Sequence, residues 1–252
     1  MGAVRDSVAR SRRGLTAPSS KADAPIWHGG WSVIERVGTP EELVTDQPEP
    51  ADRRLACICL PTSGAVVLGS TQRPDEIDVA RRRRAGYELS KRRSGGGAVV
   101  VAPGAQAWVD LFVPRDDPLF ETDVSRAAHF VADLWVEVLT SSASVVPVIE
   151  PIRALSATRW SRSVCFSGLG PGEVTVAEKK VVGVSQRRDR RGAWFFTMAL
   201  YENRQHVLAE LLVLEEPERD ALRAELSLHV GSLDEATGVL EDGLLRALIG
   251  AD

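Results

Sequence analysis

Short apolar blocks, bounded by Gly, Pro, Ser or Asp, recur along most of the chain and point to strands more often than helices. Trp31 to Val37 (WSVIERV) alternates loosely and fits a first strand or a short helix. Gly38 ends it, and Thr39-Pro40 followed by Glu41 and Glu42 has the composition of a helix N-terminus. Leu55 to Leu60 (LACICL) is wholly apolar and predicts a buried strand, which Pro61-Thr62-Ser63-Gly64 turns into a second, Ala65 to Leu68. Cys57 and Cys59 share one face of that strand, as small core hydrophobes. Tyr87 to Leu89 and Trp108 to Val113 (WVDLFV) predict further strands, the latter with Asp110 set between apolar neighbours. Val145 to Ile149 predicts one more.

Helical rhythm is confined to fewer stretches. Asp75 to Arg84 opens acidic after Pro74 and closes on Arg81 to Arg84, the charge order that suits a helix dipole and leaves the arginines on a solvated helix end. From Thr122 to Leu139, Val124, Ala128, Val131, Leu134, Trp135 and Val138 recur at three- and four-residue steps, predicting an amphipathic helix of about five turns. His129 lies on it with no partner spaced to cooperate, and reads as structural. Four blocks from Ser163 to Leu200 (SVCF, EVTV, KKVVGVSQ, AWFFTMAL) predict an antiparallel meander. Helices are expected over Gln205 to Leu214, Glu218 to Leu226 and Leu233 to Ile249. Strands grouped on both sides of one long helix, with more helices at the end, make the expected fold class α+β: mixed, largely antiparallel sheets packed with helices.

Composition narrows the function. Lys+Arg 31 against Asp+Glu 35 gives a formal charge of -4, so the overall balance points to neither nucleic acid nor a membrane surface as the main partner. No apolar run approaches the roughly 20 residues of a transmembrane helix. Cys57, Cys59 and Cys165 lack metal-ligand spacing and, being odd in number, read as reduced thiols of a cytoplasmic protein. Residues 1–24 mix Arg5, Arg10, Arg12 and Arg13 with Ser, Ala and Pro without a period and read as a disordered basic tail. Residues 25–214 then form the catalytic unit, and 215–252 a helical segment closing the same domain.

Chemistry concentrates in Arg92-Arg93-Ser94-Gly95-Gly96-Gly97-Ala98-Val99. Two guanidiniums precede a triple glycine that lets a ligand approach the main chain closely, and converging amides with bidentate arginines suit phosphate or carboxylate. A hairpin corner with solvated arginines is the plainer reading of the same residues. No GxGxxG fingerprint or P-loop occurs.

Three separated segments, AVVLGSTQ (Ala65 to Gln72), RRSGGGAV (Arg92 to Val99) and KVVGVSQRR (Lys180 to Arg188), together resemble the biotin and lipoate protein ligase superfamily, in its lipoate-protein ligase and octanoyltransferase branch. The resemblance spans roughly residues 54 to 213. It implies the catalytic-domain fold of those ligases and an enzyme that places lipoate or octanoate on a lysine of lipoyl-domain proteins, such as the E2 subunits of 2-oxoacid dehydrogenases and the glycine cleavage H protein. Lys180 would then be the central cation beside the acyl carbonyl, stabilising charge that grows in the transition state. Gln72, Arg92, Arg93, Ser94, Gly95, Gly96, Gly97 and Ala98 would bind substrate or nucleotide, with Gly183, Ser185 and Gln186 from the lysine segment. Val99, Val101 and residues around Leu68 would line the acyl tunnel.

The resemblance also leaves the mechanism open. As a ligase, the protein would use ATP and Mg²⁺ to form an acyl-adenylate from lipoate or octanoate. No histidine follows the glycine turn, where the family commonly has one, and Gly172-Glu173 stands where ligases carry Asn-Asp, so Glu173 is the candidate Mg²⁺ ligand. Cys165, fifteen positions before Lys180, is similar to the nucleophile of octanoyltransferases that accept the acyl group from acyl carrier protein as a cysteine thioester. A structural thiol, or a non-catalytic acyl- or cofactor-binding homologue, fits the same residues.

Overall fold

The structure, a computed structural model, describes residues 28–49, 52–142, 148–233 and 239–249. The tail expected over 1–24 and most of the strand expected from Val145 lie outside them.

Among the described residues, ten strands form two sheets. A seven-stranded sheet has the order β1-β2-β6-β10-β9-β8-β7, and a three-stranded sheet the order β4-β3-β5. In the large sheet, β1 (Trp31–Gly38) runs parallel to β2 (Arg54–Pro61). The remaining pairs, joining β6 (Gln106–Pro114), β7 (Ile149–Pro151), β8 (Val174–Val176), β9 (Lys179–Arg188) and β10 (Gly192–Leu200), are antiparallel. In the small sheet, β3 (Ala65–Leu68) is parallel to β4 (Glu88–Lys91) and antiparallel to β5 (Val99–Val101).

Local chemistry explains several boundaries. Helix α1 (Pro40–Thr45) begins with a full capping box, Thr39 and Glu42 each bonding the other's backbone amide, and Pro40 sits where no amide is needed. The helix expected over Asp75 to Arg84 is instead a 3-10 turn, Pro74–Glu76, and a short α2 (Val79–Arg84) capped by Asp78. Ile77 divides them because its extended backbone bridges Leu212. The long amphipathic helix is likewise two, α3 (Val124–Ala127) and α4 (His129–Ser142), separated at Ala128. Three further helices follow: α5 (Leu208–Leu211), α6 (Glu216–His229) and α7 (Val239–Ile249).

Alternation on the central strand β6 separates two cores. Ala107, Val109, Leu111 and Val113 pack against α4 and α7, where Trp135 is buried and donates from Nε1 to Thr197 Oγ1 at 2.7 Å. Trp108 and Phe112 face the other way, toward the small sheet, α1, α5 and α6. The second face carries the site.

Candidate active site

The glycine turn is packed, not free. Arg92 is buried, and its Nη2 donates to the carbonyls of Gly95 and Gly97, each at 2.8 Å, while Nη1 donates to Val67 O at 3.3 Å. The guanidinium thus braces the turn from inside, near the Cys165 thiol; burial pulls it down from the usual arginine range. Arg93, its neighbour, is exposed. Only Gly96 of the three glycines has positive φ, at 93°. Gly97 is needed for close approach, since a Cβ there would lie 2.4 Å from Val164 N.

That approach joins the turn to Cys165. Ala98 N donates to Ser163 O and Cys165 N donates to Ala98 O, both at 2.9 Å. The block SVCF is therefore no strand: Val164 makes one bridge to Ala98, and Cys165–Ser167 is a 3-10 turn. The bonds from Ser163 N and Val164 N to Trp160 O, both 2.8 Å, curl the chain before a strand can extend. Gln72 secures the same junction. Its Oε1 accepts from Gly69 N at 3.0 Å, and its Nε2 donates to Glu76 Oε2 at 3.0 Å and Ser163 O at 3.2 Å. With its amide used on both sides, Gln72 shapes the site and lines neither of the cavities described below.

Strand alternation separates the two lysines that open β9. Lys179 is exposed and donates to Ser227 O at 3.3 Å, whereas Lys180 points inward with 2% exposure. Lys180 Nζ donates to Cys165 O and Gly168 O, both at 2.8 Å, and lies 2.7 Å from Glu173 Oε1. It also stands 4.9 Å above the Phe166 ring. Glu173 Oε1 accepts from Val184 N at 3.3 Å, and Oε2 from Gly170 N at 2.7 Å. Burial pushes the Glu173 carboxyl up from the usual carboxylate range, opposed by the Lys180 ammonium and the two amides. This carboxylate does not fit the Mg²⁺ role expected of it: its charge is matched by Lys180, and both oxygens are bonded to protein. Among the described residues no group of three His, Cys, Asp or Glu is placed to hold a metal.

Two cavities meet at Cys165. The first has walls including Val67, Val99, Val101, Phe196 and Met198 and is mostly apolar. The second is more polar and lies between Gly95, Gly96 and Gly97 on one side and Gly168, Leu169 and Gly170 on the other. Cys165, Val184 and Ser185 border both. Of the expected residues, Arg92, Arg93 and Gly183 line the apolar cavity, and Gln186 the polar one. Ser185 Oγ is 2.8 Å from Ser94 Oγ, and Gln186 Nε2 donates to Val124 O at 2.6 Å. Ala98 is buried beneath the turn. Lys180 lines neither cavity, facing a third behind the 165–168 turn.

The family profile of the lipoyl protein ligase A/B catalytic domain matches residues 39–242. The chain belongs to this family. Octanoyltransferase LipM of Clostridioides difficile is 25% identical over 114 residues, which cover 45% of this chain and 41% of that protein. The matched region thus spans less than half the length of that curated relative. Among solved structures, the bipartite lipoate protein ligase of Thermoplasma acidophilum, studied with its E2 lipoyl domain, superposes with a TM-score of 0.63 at 16% identity, covering 87% of this chain and 82% of that one. A lipoate-protein ligase A bound with ATP gives 0.62 at 16% identity over 87% and 83%. These structures share the α+β fold of the lipoyl protein ligase family. No helix among the described residues is long and apolar enough to cross a membrane.

One residue of the apolar cavity stood out in the sequence only as an acid inside a strand. Asp110, at 0% exposure, lines the apolar cavity. Trp108 Nε1 donates to its Oδ1 at 2.8 Å, and the Cys59 thiol approaches Oδ2 at 3.8 Å. Burial raises its pKa to about 7, against the Trp108 bond, the Arg36 charge and the Cys59 contact. The neighbouring thiols feel the same environment, burial lifting Cys57 to about 12 and Cys59 well above its ordinary value. The native state thus holds the Asp110 proton up to about pH 7, while the unfolded chain releases it near its reference value of about 3.9. Between those values the native state binds more protons, so this contribution to stability falls as pH rises. Wild type should lose up to about 1.4 kcal/mol per pH unit relative to Asp110→Asn across that window, measured by urea unfolding. Parallel pH profiles for the two proteins would contradict it.

Proposed function

We propose that this protein carries an octanoyl group from a thioester donor to a lysine of a lipoyl-domain protein through a thioester on Cys165. The observation behind the reading is the position of Cys165 at the junction of the apolar and polar cavities. An acyl chain seated in the apolar cavity brings its carbonyl to the sulfur, and burying its six methylenes is worth about 5 kcal/mol. The polar cavity leaves a path for the donor thiol to depart and for the acceptor amine to enter. Arg92, which braces the glycine turn against Cys165, supplies positive charge near the atom that must act as an anion.

The thiolate attacks the donor carbonyl, the carrier thiol leaves with the proton, and the acceptor lysine amine then attacks the enzyme thioester to give an amide and free Cys165. Lys180, bound to Cys165 O and Gly168 O, holds the nucleophile's turn in place. Intact-mass analysis after incubation with octanoyl-acyl carrier protein, without ATP, should show one octanoyl adduct mapping to Cys165 and passing to an added lipoyl domain. Folded protein that stays unmodified would refute the mechanism. An ATP-dependent ligase for lipoate or octanoate is the second reading, supported by the two glycine-rich walls of the polar cavity, which suit phosphates. It predicts pyrophosphate release that requires the free acid.

A further inference from the structure

The apolar cavity has a polar end that the transfer of a plain hydrocarbon chain does not use. Across the large sheet, Ser185 of β9 pairs with Phe196 of β10, and Phe196 with Asp110 of β6. Two strand spacings therefore separate Asp110 from Ser185, about 10 Å. An extended eight-carbon chain, at ordinary C–C bond lengths and angles, reaches about 9 Å. A chain with its carbonyl near Cys165 and Ser185, running over Phe196 and Met198, ends at Asp110.

A second unspent polar group belongs to the same cavity. Gln47 lines it, and its Nε2 donates to Val44 O at 3.0 Å, but its buried Oε1 has no hydrogen-bond partner. Gln47 lines the same cavity as Asp110, and Arg36 holds the turn that leads into it. The Arg36 guanidinium bonds the carbonyls of Leu43, Glu42 and Asp46, the residue before Gln47, and its charge acts on Asp110. The cavity therefore offers an unfilled acceptor, Gln47 Oε1, and a carboxyl whose Oδ2 has only the weak thiol contact.

Resting on the acyl-cavity reading above, we propose that this end selects an acyl chain bearing a hydroxyl at or near its last carbon, donating its one proton to Gln47 Oε1 and accepting from the Asp110 carboxyl, over the unsubstituted chain. A hydroxyl supplies one donor and two acceptor sites on a single uncharged atom. A methyl there leaves Gln47 Oε1 desolvated and unpaired, the costly case for a buried acceptor. A carboxylate would set its own oxygens against Gln47 Oε1. An ammonium would lose its counter-charge whenever Asp110 is protonated, and it would sit in the field of Arg36.

Calorimetric titration of the full chain with octanoic acid and with 8-hydroxyoctanoic acid tests this without requiring catalysis. The hydroxy acid should bind at least roughly tenfold more tightly, the effect of one to two hydrogen bonds. Gln47→Leu, a change at a half-buried position, should reverse most of that ratio, and Asp110→Leu should do the same if it folds. Tighter binding of octanoic acid by wild type, or a ratio unmoved by Gln47→Leu, overturns the proposal. Failure of folded protein to bind either acid overturns it together with the acyl cavity. A retained hydroxyl preference in a protein that never acylates Cys165 would support the proposal and reject only the transfer mechanism.

Discussion

Cys165→Ala is expected to reduce octanoyl transfer to a lipoyl domain by on the order of 10³-fold or more, because it removes the atom proposed to form the covalent intermediate. The variant should fold normally. Cys165 is only partly buried, its backbone N–H to Ala98 O survives the change, and Ala adds no volume. Binding of the free acid should stay within about twofold, since the cavity's apolar walls, among them Val99, Val101, Phe196 and Met198, are untouched. Loss of transfer with retained acid binding is the signature of a nucleophile. If transfer is instead unchanged and depends on ATP, the ligase reading takes its place. Single-turnover transfer and calorimetry on the same preparation decide between them.

Lys180→Ala should cost about 3–5 kcal/mol of unfolding free energy, the range for removing one partner of a buried ion pair. Lys180 and Glu173 are 2% and 4% exposed, so the pair is buried and the carboxylate loses its counter-charge with the ammonium. The variant leaves three acceptors short of a donor: Glu173 Oε1, Cys165 O and Gly168 O. Glu173 then adopts its proton more readily, because burial already raises its pKa and the opposing ammonium is gone. A carboxyl with a raised native pKa loses its stability contribution as pH rises through that value, so the deficit of Lys180→Ala should be smaller at pH 5 than at pH 8. The double variant Lys180→Met with Glu173→Leu should recover much of the stability, since replacing a buried pair by apolar residues is often nearly neutral. It should not recover transfer, because the turn carrying Cys165 loses its two carbonyl anchors. Urea unfolding at both pH values, with transfer rates, checks all three statements. A loss below about 1 kcal/mol would show that the pair is not what holds this turn.

Much of the fold was legible because strands and caps are written in local chemistry. The capping box at Thr39 and Glu42 and the buried block LACICL follow from spacings of a few residues. Segments that departed from expectation did so under contacts from distant chain. Ile77 broke a helix by bridging Leu212, and SVCF gave up a strand because Trp160 O and Ala98 O claimed its amides. Arg92 followed the same logic. An arginine before three glycines suits an anion, yet three carbonyls occupy its guanidinium.

By itself, the sequence determined the α+β class, the positions of most strands, and the three segments that mark the lipoyl protein ligase family, since each rests on residues adjacent in the chain. Only the tertiary structure decided which of the chemical groups meet. Gly97 approaches Val164 closely enough to set Cys165 between two cavities. Lys180 closes on Glu173, and strand register carries Asp110 to the end of the apolar cavity. Those outcomes depend on pairing between strands far apart in sequence, and a one-residue slip in register would send each side chain to the opposite face.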